Sequence, residues 1–315
     1  METDNKTQEL LNQLHKKYAQ NDQSLNDYLE GLLYTKYVDY WDYVHLEALL
    51  NLQHPKTDIP DEMVFIIYHQ ITELYFKLTL WELEQIQKEQ LAVEVIIEKL
   101  NRINQYFKSL TTSFGIMIKG MSPKQFLEFR MALLPASGFQ SVQYRKIELC
   151  CTDTKQLIHK SERDKVPFDA TLAEKFEKIY WKKGATLVES GKKALTLKRF
   201  EEKYTDELFQ WAQQQSQHHL QARYPEWLKQ ADEETKIELV KALKKLDYHV
   251  NVAWPLVHIR SAYRYLKDNP AQEAIGATGG TNWEEYLPPH LQLRIFFPEL
   301  WTEEERKNWG RTTLS

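Results

Sequence analysis

Apolar positions recur along this chain mainly at spacings of three and four, the period of an α-helix, and no alternating β pattern persists. Residues 7–19 and 24–37 read as short amphipathic helices. The stretch DEMVFIIYHQITELYFKLTLWELEQI begins at Asp61, after Pro60 and with acids in its first turn, as a helix start should. It is apolar on nearly all sides until about Trp81, which predicts a helix buried in the centre of the protein. A second long helix covers 91–118. Gly120 and the Ser122-Pro123 pair then stop one helix and cap the next, QFLEFRMALL. PASGFQS is a turn into VQYRKIELC. Residues 232–267 form one or two helices, with Pro255 as a kink in the second. IGATGGTNW, the only Gly-rich loop, follows, and FFPELW lies near the end. Residues 160–206 are charge-rich and loosely periodic, which predicts a solvated helical excursion without a core of its own. The expectation is an all-α fold and a single helical domain over 1–315.

Composition agrees with helix. Gly (10) and Pro (11) each make up about 3% of 315 residues, against a usual roughly 7% and 5%. Nine Trp, 17 Tyr and 13 Phe supply ample apolar mass for a core, and would also suit a pocket for a flat ligand. The net charge of −4 offers no global positive field for nucleic acid or an anionic membrane. METDNKTQEL has no apolar core of a signal peptide, and no run of 18 apolar residues occurs. The only cysteines, Cys150 and Cys151, are neighbours and do not staple a chain this long. A soluble, cytoplasmic protein is expected.

Two of the ten histidines stand where histidine is unusual. His69 lies inside the apolar helix, with Phe65 at i−4 and Phe76 at i+7. His258 lies in NVAWPLVHIRSAYRYL, with Trp254 at i−4. Each is either a hydrogen-bonded core histidine or a ligand. No HxxxH or CxxC spacing occurs, whereas heme needs only one proximal imidazole. Arg130, beside Phe126 and Phe129, is either a bidentate carboxylate clamp or a surface arginine with a snorkelled stem. GATGGT (276–281) is either an anion-binding loop or a turn; it fits no nucleotide motif.

Several segments together resemble the tryptophan 2,3-dioxygenase family, in order and over most of the chain. YWDYVHLEALLNLQHP (40–55) is similar to its tyrosine-rich entry segment, and DEMVFIIYHQITELYFKL (61–78) to its distal-histidine helix. FLEFRMALLPASGFQSVQYRKIE (126–148) resembles its arginine and SGFQS block. WPLVHIRSAYR (254–264) and ATGGTNWEEYL (277–287) resemble its axial-histidine helix and Thr-Gly-Gly loop. The resemblance implies a helical heme b protein, usually a homotetramer. It makes His258 the axial iron ligand and His69 the distal residue facing the indole NH, with Phe65 and Phe126 against the ring. Arg130 would take the substrate carboxylate, and Thr278 the amino-acid end as its loop closes. Tyr40, Tyr43 and Val44 would line the pocket, and Ser137 would lie near the heme edge.

The implied reaction opens the C2–C3 bond of L-tryptophan with O2 to give N-formylkynurenine, the iron activating oxygen and the protein orienting substrate and excluding water. The alternatives are a heme monooxygenase acting on a substituted tryptophan or another indole, and a non-catalytic helical binding protein. The chain departs from the family pattern at WPLVH, where arginines commonly stand between the tryptophan and the axial histidine. Tyr75 stands where tryptophan is usual, Val44 and Phe126 where leucine and tyrosine are frequent, and Asn282-Trp283 where a small residue or glycine is common.

Overall fold

The computed structural model describes residues 4–88, 90–133, 136–167, 169–186, 192–267 and 288–311, and they form two compact units, Met1–His54 and Pro55–Ser315. Both are helical. Among the described residues the β features are isolated bridges, Ile158 with Ile179 and Thr186 with Lys193.

In the N-terminal unit α1 (Asn5–Ala19) packs on α2 (Leu25–Tyr34), with Tyr18 stacked on Tyr28 at 4.1 Å between ring centroids. Asp4 caps α1 by accepting from the Lys6 amide. Two short helices follow, α3 (Tyr40–Tyr43) and α4 (Leu46–Leu50). His45 between them sits in the left-handed region at φ 52°, which lets the chain turn sharply there. Leu25 is the one residue of these four helices that is buried.

The larger unit is built on α5 (Asp61–Lys88), which packs against α6 (Val93–Ser113) and α9 (Val142–Cys151). Between them lie α7 (Gly115–Lys119) and α8 (Pro123–Phe129). On α6, Ile96, Leu100, Ile103, Phe107 and Leu110 are all buried, spaced as one helical face. That face receives α5 through Phe76, whose ring lies 6.0 Å from Phe107. It also receives α15 (Glu233–Tyr248), where the Asn104 amide donates to the Ala242 carbonyl at 3.0 Å. Glu82 on α5 accepts from Lys99 and Arg102 on α6, each at 3.2 Å, so this buried charge is paired.

Residues 160–206 do more than cover the surface. They hold α10 (Lys160–Arg163), α11 (Leu172–Glu177), α12 (Tyr180–Gly184) and the start of α13 (Leu195–Gln215). Phe176, Ile179, Tyr180, Trp181 and Phe200 join the main core. The charges that make the stretch look solvated include buried ones. Arg145 and Arg294 both donate to Glu148 and to the Tyr180 hydroxyl, tying α9, α12 and the C-terminal segment together. Cation–π contacts of both arginines with the Tyr180 ring add to this join.

After α14 (Leu220–Gln230), α15 runs into a π-helical turn, His249–Ala253, then α16 (Trp254–Ala262) and a second π-turn, Tyr263–Lys267. The π-turn explains how Pro255 is carried without breaking the helix. Proline cannot donate to the residue four back, and the wider turn lets Trp254 donate to His249 instead. The Tyr144 hydroxyl donates to the Val250 carbonyl inside the turn, at 2.8 Å. Asp247, just upstream, accepts from the Asn251 amide, the Phe296 and Phe297 backbone amides and the Trp301 indole, which holds the FFPELW segment on α15.

The expectation that α5 is buried all round holds on one side only. Met63, Ile67, Ile71, Leu74, Leu78 and Trp81 remain 38–62% exposed.

Candidate functional site

His69 sits two turns inside α5. Its Nδ1 lies 2.7 Å from the Phe65 carbonyl oxygen. A carbonyl only accepts, so Nδ1 carries the proton, and Nε2 of the neutral ring keeps a lone pair. The Phe65 and His69 rings lie 4.1 Å apart. At i+7, on the same side of α5 as His69, Phe76 is buried. Desolvation by the surrounding protein pushes the His69 pKa down, against the Phe65 carbonyl and the Glu73 charge. Yet the ring is reachable by solvent.

His258 repeats the pattern on α16. Its Nδ1 lies 2.8 Å from the Trp254 carbonyl oxygen, so this ring also presents Nε2 as the free lone pair. Phe114 and Trp254 hold it from two sides, at 4.5 and 4.4 Å between centroids. Burial pushes its pKa down to about 4, the Trp254 carbonyl opposes this, and the nearness of His69 adds to it. The two imidazoles are thus within electrostatic reach of each other, although 189 positions of sequence separate them. The ring is half-buried.

Arg130 begins the 3-10 turn that continues α8 and is 4% exposed, which discards the snorkelled surface reading. Burial lowers its pKa. The helix that carries it is pinned to the start of α5, because Asp61 accepts from the Ser122 amide and donates its own amide to Gln125. Phe126, one turn before Arg130, packs against Phe65 at 6.2 Å, Phe129 at 5.5 Å and Tyr265 at 4.5 Å. The structure therefore brings Phe65, His69 and Phe126 together, and Arg130 follows Phe126 by one turn.

Ser137 donates its amide to Gln140 Oε1 at 2.8 Å, at the start of the 3-10 turn Gly138–Gln140. The SGFQS block also has a structural duty. Gln140 donates to the Thr196 carbonyl, and Gln143 to the Glu73 carbonyl and carboxylate, so the block joins α13 to the helix of His69. Tyr40, Tyr43 and Val44 belong to the N-terminal unit and are 71%, 79% and 36% exposed. Thr278 and Asn282-Trp283 lie outside the described residues.

Two neighbours of the site escape a sequence reading. Phe114 gives no signal beyond its place at the end of α6. Tyr265 could have been found, since it lies two turns after His258 and so on the same face. It is buried, and its hydroxyl donates to the Met117 carbonyl at 2.6 Å.

The residues fit heme on chemical grounds. Iron in a porphyrin needs one neutral imidazole with its lone pair free and its other nitrogen fixed by a backbone carbonyl, which is what His258 offers. Phe114 and Trp254 hold that imidazole in one orientation.

The lowered histidine pKa values have a consequence for the heme-free chain. Burial also pushes His249, outside the site, down to about 4. The unfolded chain takes up the His249 and His258 protons near pH 6.5 and the folded chain near 4, so stability is present above 6.5 and falls as pH drops through this window. The ceiling is about 3 kcal/mol per histidine. Asp247, pushed up to about 6 by burial against its four donors, acts the other way and loses stability as pH rises towards 6. His249→Gln should flatten the acid side of a plot of denaturation midpoint against pH. An unchanged slope would show that His249 titrates normally.

On this helical frame His69 and His258, within electrostatic reach of each other, each present a neutral Nε2, the ligand type that helical heme proteins use. A family model described as tryptophan 2,3-dioxygenase matches residues 32–257. A tryptophan 2,3-dioxygenase of Ruegeria pomeroyi is 30% identical over 275 residues, covering 85% of this chain and 92% of that protein. Another, of Ruegeria sp. (strain TM1040), is 45% identical over 115 residues, or 35% of this chain and 40% of that protein. Tryptophan 2,3-dioxygenase B of Danio rerio is 35% identical over 122 residues, which is 30% of that protein. The chain belongs to the tryptophan 2,3-dioxygenase family, a family of oxidoreductases.

Proposed function

We propose that this protein is a heme-dependent dioxygenase that cleaves the indole C2–C3 bond of L-tryptophan with O2 to give N-formylkynurenine, as a cytoplasmic homotetramer. The observation that carries the reading is the matched pair of imidazoles, His69 and His258, each locked by its own i−4 carbonyl with Nε2 free. His258 would hold the iron of heme b through Nε2, with Ser137 as a further cofactor-side residue. When bound, the heme supplies the activation of O2.

The chain's own residues do the rest. His69 Nε2 accepts a hydrogen bond from the indole NH, which a charged imidazole could not do. Its lowered pKa keeps it neutral at physiological pH. Phe65 and Phe126 hold the flat ring, Arg130 takes the carboxylate as a two-pronged ion pair, and Thr278 closes on the amino-acid end. Together they orient the substrate and exclude water.

The test is product mass with isotopically labelled O2. Two labelled atoms in an N-formylkynurenine product support the reading. One labelled atom in a hydroxylated indole would establish the monooxygenase, and a purified protein with no heme absorption would leave only a binding module. The relatives' names favour the dioxygenase.

The pocket is completed, in this proposal, by Tyr40, Tyr43 and Val44 of a neighbouring subunit. Tyrosines with apolar bodies and polar tips are typical of interfaces, and here they stand exposed along with Tyr37 at 98%. Subunit complementation checks this. Tyr43→Ala and Arg130→Ala proteins, each impaired on L-tryptophan alone, should regain turnover when subunits exchange, because a hybrid can hold one site with neither lesion. No recovery, with exchange verified, would mean that each chain builds its pocket alone.

A further inference from the structure

Tyr265 stands in the second π-turn, two turns past His258, and is 1% exposed. Its side chain is held at both ends. The hydroxyl donates to the Met117 carbonyl at 2.6 Å, with the Met121 carbonyl oxygen 3.5 Å away. Met117 belongs to the short α7, and the last carbonyls of a helix need donors from outside it, so a buried hydroxyl is a fitting partner. The ring lies 4.5 Å from that of Phe126, at 37° between planes. The other rings against Phe126 are farther off, Phe129 at 5.5 Å and Phe65 at 6.2 Å. Phe126 is half-buried, and the second torsion of a phenylalanine is broad, so its orientation depends on what backs the ring. A row of rings thus runs from His69 through Phe65 and Phe126 to Tyr265, whose backbone continues the helix of His258.

We infer that Tyr265 is a positioning residue that sets which indoles the site accepts. By backing Phe126 while tied to α7, it fixes the wall against which the indole lies, and so the room left for groups on the indole's six-membered ring. A phenylalanine at 265 would fill the same space and pack on Phe126 as well. The hydroxyl adds a demand that a phenylalanine does not make: buried, it must be bonded, and the Met117 carbonyl meets that demand at one depth of the ring only. Tyr265 therefore cannot slide along Phe126 to let that ring withdraw. Close-packed rings pass such a constraint on, since a neighbour can move only if space opens behind it. The wall is thus set before substrate arrives, and an indole that needs more room meets a ring that cannot yield. This inference rests on the proposed placing of the indole against Phe65 and Phe126, and not on how many oxygen atoms are inserted.

Steady-state kinetics of the heme-loaded protein test it, with L-tryptophan and tryptophans methylated on the six-membered ring. Tyr265→Phe removes one oxygen atom and keeps the ring, so heme occupancy and helical content should match the wild type. For L-tryptophan it should raise KM by about three- to tenfold with kcat nearly unchanged, the mark of lost uniform binding. For the methylated substrates KM should hold or fall, so the preference for L-tryptophan should drop by about tenfold. On a Phe126→Leu background, Tyr265→Phe should change that preference no further, because it acts through Phe126. Additive effects in the double variant would overturn the inference. Equal losses on all substrates, with less heme bound, would also overturn it and make Tyr265 a plain strut of its helix. A wild-type product with one labelled oxygen, with the shift in preference intact, would remove the dioxygenase reading and leave the role of Tyr265 standing. Wild-type protein active on none of these substrates would remove both.

Discussion

His258→Ala protein should fold, keep its helical signature, and fail to retain heme through purification. The structure says why the two effects separate. The frame around His258 is held by contacts that do not involve its ring: α15 on α6, Tyr144 on the Val250 carbonyl, and Asp247 on the FFPELW segment. Deleting the imidazole leaves a small cavity beside Phe114 and Trp254, a loss of a few kcal/mol at most. The iron, however, loses its only offered imidazole on this helix. The comparison is His249→Ala, nine residues upstream, which should keep heme at wild-type occupancy. His69→Ala should also keep heme while losing turnover, because His69 is proposed to touch substrate and not iron. The measurement is Soret absorbance per mole of protein, with the five-coordinate histidine signature of the ferrous form. Normal intensity and that signature in His258→Ala would refute the ligand assignment, whichever of the other variants lost activity.

What the sequence revealed, and what it hid, follows from the range of the interactions. The start of α5 was legible because Pro60, Asp61 and Glu62 are local signals, and the helix begins at Asp61. The 91–118 helix resolves into α6 and α7 with a break at Phe114, whose ring is drawn onto His258; nothing within α6 announces that. Pro255 reads as a kink from local rules. The structure absorbs it in a π-turn whose Val250 carbonyl is bonded by Tyr144, 106 residues away. Residues 160–206 looked solvated because charges dominate their composition, but Tyr180 and Trp181 sit in the core among paired arginines. The candidate histidines were visible as polar residues in apolar helices. Their tautomers were not, since each depends on a carbonyl that only a folded helix brings to the ring. Arg130 shows the same limit: its place beside Phe126 was local, and its burial was not.

Arg130→Ala should lower kcat/KM for L-tryptophan by roughly two to three orders of magnitude and change the use of an indole lacking the carboxylate far less. Arg130 is 4% exposed, so a carboxylate that reaches it is met largely out of water, where removing one partner of a charged pair costs about 3–5 kcal/mol. That cost falls on the substrate that brings the second charge. A substrate without one never gains the pair. Removing the arginine should therefore narrow the preference for the amino acid over the bare indole. Arg130→Lys is the needed control. It keeps the positive charge and removes the two-pronged geometry, so it should recover part of the KM effect and little of the orientation that kcat reports. Heme occupancy must be the same in all three proteins, which is expected because α8 is held to α5 through Asp61, Ser122 and Gln125 and not through Arg130. Equal losses for both substrates in Arg130→Ala would make Arg130 a structural residue of the α8 turn and return the substrate carboxylate to another group.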